Sequence, residues 1–216
     1  MTGNSGCPPK RETGQHYPSD CELTGALLEK ARERARPPER SAAWQKALAR
    51  ARGIRLLLLD VDGVLTDGTI TYTHGGGESK SFHTQDGFGL RLLQEGGMEV
   101  GLITARTSEA VSRRAADLKI KYVYQGTYTK EEVYEEILQA SGLRPPQTAY
   151  MGDDWLDLPI LSRAGFSAAP FNAVQEVRRR VDYVTAASGG YGAVREVCEL
   201  ILEARGELAN LLRRYA

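Results

Sequence analysis

From Ile54 onward the chain alternates short apolar runs, each closed by Gly, Asp or Thr, with stretches whose apolar positions recur at helical spacing. The runs "IRLLLLD", "MEVGLIT", "YVYQG" and "TAYMGDD" predict four strands, with "FSAA" and "DYVT" as shorter later ones. Nearly unbroken hydrophobicity marks strands covered on both faces, so the runs predict a parallel sheet. The segments between them supply the covering helices. Val111, Ala115 and Leu118 fall at i, i+4 and i+7, and Val194, Val197, Cys198 and Ile201 repeat the stripe. Thr129 and Glu132 are spaced as a capping box, and Asn172 precedes another helix. The expectation is an α/β fold, doubly wound and Rossmann-like, mostly parallel, with helices on both faces.

One segment breaks the alternation. "GTITYTHGGGESKSFH" has period-two runs on either side of "HGGGE" and predicts a β-hairpin flap, its tip mobile through three consecutive glycines. The flap is short, and nothing domain-sized separates Thr104 from Lys130, so no separate cap domain is expected. Upstream, residues 1–20 are rich in Gly, Pro, Ser and charge and read as an unstructured lead. "CELTGALLEKARERARPPERSAAWQKALARARG" reads as one or two short helices interrupted by Pro37 and Pro38. The expected division is an N-terminal extension, residues 1–45, partly disordered with a short helix, and a folded domain, residues 46–216.

Composition narrows the partners. At 216 residues one domain with an appendage is the default. The 28 basic and 28 acidic side chains cancel, leaving no electrostatic footprint for nucleic acid or an anionic membrane. The arginine-rich stretch before Gly53 therefore reads as a solvated helix face rather than an RNA contact. Cys7, Cys21 and Cys198 are odd in number and far apart, which fits neither a zinc knuckle nor a redox pair and points to a reduced, intracellular setting. No secretory segment and no membrane-length apolar run is visible, so a soluble, cytoplasmic protein is expected.

In an open parallel sheet, ligands bind beyond the carboxyl ends of the strands. The residues found there are Asp60 and Asp62 after the first strand, Thr104 after the second, Lys130 past the third, and Asp153 and Asp154 after the fourth. Carboxylates gathered at one edge repel unless a cation joins them. With no His or Cys at any of these ends, a hard cation with oxygen ligands fits better than zinc. Mg²⁺, with few carboxylates, several waters and a substrate phosphate, is the natural occupant. A carboxylate on Mg²⁺ stays ionised and can attack phosphorus, while one two residues on can give a proton to the leaving oxygen. Thr104 with the amide of Ala105 can hold a phosphoryl oxygen, and Lys130 at a helix start balances developing charge. Asp60 and Asp62 alone would also describe an ordinary strand end and an Asp-Gly turn. Their register with Thr104, Lys130 and Asp153 favours the chemical reading.

"DVDGVLTDG", "LITAR", Lys130 within "QGTYTKEEVY" and "GDDWLD" resemble the four motifs of the haloacid-dehalogenase-like phosphohydrolases. Across residues 46–206, further runs such as "DGFGLRLLQEGGMEV", "YMGDDWLDLPIL" and "DYVTAASGGYGAVREVCELIL" are similar to the branch acting on 3-deoxy-D-manno-octulosonate 8-phosphate in lipopolysaccharide precursor synthesis. The resemblance implies that Asp60 forms an aspartyl-phosphate and that Asp62 is general acid, then base. It implies Mg²⁺ held by Asp60, the main-chain carbonyl of Asp62, and Asp153, with Asp154 and Asp157 behind them orienting metal-bound waters and Lys130. It further implies a phosphorylated sugar acid bound by His83, Thr84, Gln85, Asp86 and Gly87, by Arg91, Arg106 and Arg114, and by Lys130.

A homotetramer is also implied, in which hairpins and the Gly-rich run at 188–196 close neighbouring sites; the plainer reading of that run is a turn. His83 is expected as a hairpin side chain rather than a metal ligand, and Trp155 and Phe88 are expected to pack. Two positions depart from the family pattern: Ala105 where Gly is common, and Gln85 where Arg often precedes "DG". The second leaves open a deoxynonulosonate 9-phosphate or another phosphorylated acid as substrate. A phosphomutase, or a regulatory protein whose aspartate accepts phosphate as a signal, also stays open at this point.

Overall fold

The computed structural model describes Thr24, Gly25, Leu27, Glu29 and residues 40–215 apart from Gly76. The expected unstructured lead, most of the first helical stretch and one glycine of the hairpin tip lie outside the described residues. The chain divides into two units between Arg40 and Ser41, and the unit Ser41–Ala216 holds the sheet.

In chain order the strands are β1 (Leu56–Leu59), β2 (Thr71–Tyr72), β3 (Glu78–Ser79), β4 (Glu99–Ile103), β5 (Tyr122–Tyr124), β6 (Thr148–Met151), β7 (Phe166–Ala169) and β8 (Tyr183–Val184). The helices are α1 (Ala42–Ala51), α2 (Thr84–Glu95), α3 (Glu109–Asp117), α4 (Lys130–Ser141), α5 (Leu158–Leu161), α6 (Gln175–Arg178), α7 (Ala193–Ala204) and α8 (Leu208–Tyr215). Six strands form one sheet in the order β5-β4-β1-β6-β7-β8, every pairing parallel, and β2 and β3 form the antiparallel hairpin. The path runs outward from β1 through β4 to β5, then returns to β6 on the other side. That reversal opens a crevice at the carboxyl end of β1.

The four leucines of β1 show why the sheet is covered twice. Leu57 and Leu59 join a core with Trp44 of α1, Leu93 of α2, Val111 of α3 and Val197 of α7. Leu56 and Leu58 point the other way, to Tyr134 and Ile137 of α4, Ile160 of α5 and Val177 of α6. All four leucines are fully buried, and each contributes about 1.5–3 kcal/mol through that burial. β1 is registered on both sides, Leu56 to Leu59 matching Glu99 to Leu102 of β4 and Thr148 to Met151 of β6.

Three local expectations are corrected. The Thr129 side chain does not cap α4; its hydroxyl donates instead to the Glu132 carboxylate at 3.3 Å, so the capping box is not formed. Trp155 does not pack inside but is 63% exposed, while Phe88 lies edge-on to Tyr215 at the surface. His83 is not in a hairpin strand: it occupies the N-cap position of α2 without making a side-chain cap. Cys198 of α7 is a buried free thiol facing Gly89 of α2, and burial pushes it well above the usual thiol range. Among the described residues no helix is long and apolar enough to cross a membrane.

Candidate active site

Asp60 directly follows β1, and its amide still donates to Met151 of β6 at 3.0 Å, so the sheet ladder fixes its backbone. The chain then folds back at once. The Val61 carbonyl accepts from the amides of Val64, Leu65 and Thr66, and the Thr66 hydroxyl accepts from the amides of Gly63 and Gly68. Gly63 has φ +85°, and a Cβ there would stand 2.1 Å from Asp153 Oδ2. This position needs glycine twice, for its left-handed backbone and for the close approach of Asp153.

Asp60, Asp153 and Asp157 each place a carboxylate oxygen within 4.8 Å of the others. Lys130, buried at the start of α4, sits 3.0 Å from Asp60 Oδ1 and 2.7 Å from Asp157 Oδ1. Burial pushes Asp60 up to about 7, with Lys130 opposing and Asp157 adding to the rise. Burial pushes Asp153 up to about 8, helped by the neighbouring Asp60, Asp157 and Asp154. One lysine does not neutralise this group, whose charge and all-oxygen donors match a small divalent cation. Mg²⁺ fits, and Asp60 and Asp153 could hold it.

Asp157 is near enough to join them, but its lone pairs are committed. Oδ1 accepts from Lys130 and from the Tyr150 hydroxyl at 2.7 Å, and Oδ2 accepts from the amides of Asp153 at 3.0 Å and Asp154 at 3.2 Å. It therefore shapes the loop after β6 and holds Lys130. Tyr150, a fully buried strand residue, belongs to the same network and gave no signal in the sequence beyond its apolar setting. Thr104 directly follows β4 and is buried, its amide donating to the Tyr124 carbonyl and its hydroxyl accepting from the Arg106 amide at 3.3 Å.

The hairpin closes on this group through charges that the motif reading missed. Lys80 donates to Asp62 Oδ1, pairs with Glu78 at 3.0 Å, and has a side chain only 1% exposed. Burial alone would pull Lys80 down, but its bonds to Asp62 and Glu78 outweigh that and hold it above the usual value. Glu78 in turn accepts from Arg106 at 2.5 Å, a bond that holds the Glu78 carboxyl below its usual range. Glu78 first and then Tyr72 hold Arg106 above its own ordinary value.

The segment His83 to Gly87 is only partly gathered with these groups. Arg114 reaches it: its Nη2 donates to the His83 carbonyl at 3.4 Å, and a Cβ on Gly87 would lie 2.1 Å from that same nitrogen. Thr84 and Gln85 are exposed. Asp86 is a correction, because its buried carboxylate turns away to accept from the amides of Arg195 at 2.7 Å and Gly192 at 3.3 Å, capping α7. Burial pushes Asp86 up, and those two amides hold it back. Arg91 is also apart from the group, exposed on α2 where its charge is felt at Tyr215.

The Gly-rich run before α7 is packed against this chain's own turn after β1. The Gly190 amide donates to the Val64 carbonyl at 3.0 Å, and the Gly189 amide donates to Asn172 Oδ1 at 2.8 Å. A Cβ on Gly189 would fall 1.7 Å from the Gly63 carbonyl oxygen, so the turn and the run fit only without a side chain there. Gly189→Ala is expected to displace the turn that carries Asp62, lowering kcat at least about tenfold and stability by about 1–3 kcal/mol. Turnover and urea midpoint both at wild-type values would show that the run does not brace the turn.

Residues 122–196 match the haloacid dehalogenase-like hydrolase family. Over 161 residues, 74% of this chain and 86% of the relative, the sequence is 44% identical to the 3-deoxy-D-manno-octulosonate 8-phosphate phosphatase KdsC of Escherichia coli strain K12. Among solved structures, the corresponding phosphatase from Yersinia pestis is 41% identical with a TM-score of 0.75, covering 76% of this chain and 89% of that one. The phosphatase from Moraxella catarrhalis, solved with magnesium ion, phosphate ion and a KDO molecule, is 38% identical with a TM-score of 0.78, covering 80% of this chain and 99% of that one. The shared sheet, the clustered carboxylates with Lys130, and these identities agree, and the chain belongs to the 3-deoxy-D-manno-octulosonate 8-phosphate phosphatase family of the haloacid dehalogenase-like hydrolases.

Proposed function

We propose that this chain is a Mg²⁺-dependent phosphomonoesterase that converts 3-deoxy-D-manno-octulosonate 8-phosphate to the free sugar acid and phosphate, a step in lipopolysaccharide precursor synthesis. The observation that carries the reading is Asp60, fixed at the end of a doubly paired strand, 3.0 Å from a buried lysine and beside a second carboxylate of raised pKa. An Asp60 oxygen attacks phosphorus as the bond from phosphorus to the sugar oxygen breaks, and Asp62 gives its proton to that departing oxygen. Water then attacks the aspartyl-phosphate and loses a proton to Asp62, the bond to Asp60 breaks, and phosphate leaves with both carboxyl groups restored. Lys130 holds Asp60 and offsets negative charge, while Thr104 and the Ala105 amide receive a phosphoryl oxygen. Mg²⁺, held by Asp60, Asp153 and the Asp62 carbonyl, supplies positive charge for the phosphoryl group.

Arg106, Arg114 and the segment from His83 through Thr84 and Gln85 to Gly87 receive the sugar acid, arginine being suited to a carboxylate. The unit from Ser41 onward acts as the catalytic domain, starting a few residues before the expected boundary at residue 46 because α1 carries Trp44 into the core, and the residues before it form an extension. The enzyme works in the cytoplasm as a homotetramer. Support for assembly comes from apolar side chains left at the surface beside Lys130, where Tyr128, Trp155 and Leu156 line one hollow, and from Tyr72 on the hairpin. Arg91 is then available to a neighbouring subunit.

Phosphate release measured across phosphorylated sugar acids, with and without Mg²⁺, tests the assignment. The octulosonate 8-phosphate is expected to be preferred, with no turnover in chelator. Preference for a deoxynonulosonate 9-phosphate would move the assignment to that substrate, a change for which the uncharged Gln85 supplies the motive.

A further inference from the structure

Asp62, Lys80, Glu78 and Arg106 form a continuous chain of alternating charge from the catalytic turn, through the hairpin, to the end of β4. Lys80 is unusual for a lysine, with a side chain almost fully withdrawn from solvent and held between two carboxylates. At its inner end Asp62 is divided. Oδ1 is taken by Lys80, whereas Oδ2 is buried with no hydrogen-bond partner among the described residues. A buried carboxylate oxygen without a partner is a costly arrangement unless a ligand or reacting group uses it.

We propose that Lys80 is a positioning residue for phosphoryl transfer: it pins one oxygen of Asp62 so that the other is the one presented for proton exchange. The inference rests on the reading of Asp62 as acid and base. The hairpin has two-residue strands whose Thr71, Tyr72 and Ser79 are exposed, so burial does little to hold it in place. The charges supply the hold that burial does not. Glu78 fixes Lys80 from the other side and is itself fixed by Arg106, which adjoins the phosphate-binding Thr104. The flap therefore sets the rotamer of a catalytic side chain as well as covering it. A misplacement of about 1 Å in such a group lowers rate by about 100-fold.

The test measures kcat and KM with the octulosonate 8-phosphate and thermal midpoints for Lys80→Met, Lys80→Arg, Glu78→Gln and Asp62→Asn. Lys80→Met is expected to lower kcat by about 100-fold with KM changed less than about threefold, and Lys80→Arg to recover most of the loss. Against the residual turnover of Asp62→Asn, adding Lys80→Met is expected to lower kcat no further, because its effect passes through Asp62. An equal loss in both backgrounds, or wild-type kcat in Lys80→Met, overturns the proposal. If Lys80→Met does not fold, Glu78→Gln decides: a fall in kcat of about tenfold supports the chain, and wild-type kcat overturns it. Near wild-type turnover in Asp62→Asn would instead remove the acid and base reading beneath the inference. An inactive Asp62→Asn beside a fully active Lys80→Met removes the inference alone.

Discussion

Asp60→Asn is expected to abolish phosphate release, lowering kcat by more than about 10,000-fold, while the protein stays folded. The amide is nearly isosteric and its oxygen still accepts from Lys130, but it is not a nucleophile toward phosphorus. The change also removes one of the like charges that raise Asp153, so the metal-free variant is expected to lose little thermal stability at neutral pH. Steady-state turnover with circular dichroism on the same sample checks both halves. Hydrolysis near the wild-type rate would sink Asp60 as the nucleophile.

The second large effect concerns pH and Mg²⁺ together. Asp60 rises from 3.8 to about 7 and Asp153 from 3.8 to about 8, so between those limits the metal-free native state binds more protons than the unfolded chain. Stability of the metal-free protein must then fall as pH rises through that window, the reverse of a carboxylate that is salt-bridged in the native state. Its thermal midpoint is expected to be lower at about pH 8 than at about pH 5. Saturating Mg²⁺ should raise the midpoint strongly at the higher pH and little at the lower, where protons compete for the same oxygens. At 100 times Kd the stabilisation is about 2.7 kcal/mol, or roughly 5–10 °C for a protein of this size. A metal-free midpoint that climbs across the window would show that the carboxylates are not crowded as described.

How much of this was legible in the sequence depends on the range of the interaction. β1 and its leucines were readable because alternation and strand-end chemistry are local, and they located Asp60, Thr104, Lys130 and Asp153 together. Asp86 entered only as a member of the segment that the family resemblance implied, whereas the partners that take its carboxylate, Gly192 and Arg195, lie over a hundred residues away. Asp157 was placed behind the metal ligands, beside Lys130, by the family resemblance alone, whereas the Tyr150 hydroxyl and the two amides that fill its other lone pairs left no mark in the sequence. Lys80 belonged to no motif. The available signal was the alternation of Glu78, Lys80 and Phe82 along one hairpin edge, which places the two charges on the same side but does not say what they meet.

The two-sided registration of β1 and the brevity of the hairpin divide the molecule by stiffness. Asp60 rides on a strand locked into ladders on both edges, and a shift of one residue would exchange its leucines between the two cores and break the register with both neighbours. The flap is compliant by comparison, anchored by a few charges and ending in glycines. Mutational tolerance should follow the same division: residues 70–77 can change length and shape to admit differently sized sugar acids, provided Glu78 and Lys80 keep their hold on Asp62, while the chemistry on the stiff side stays untouched. A new substrate is then within reach through the cover alone, without rebuilding the site beneath it.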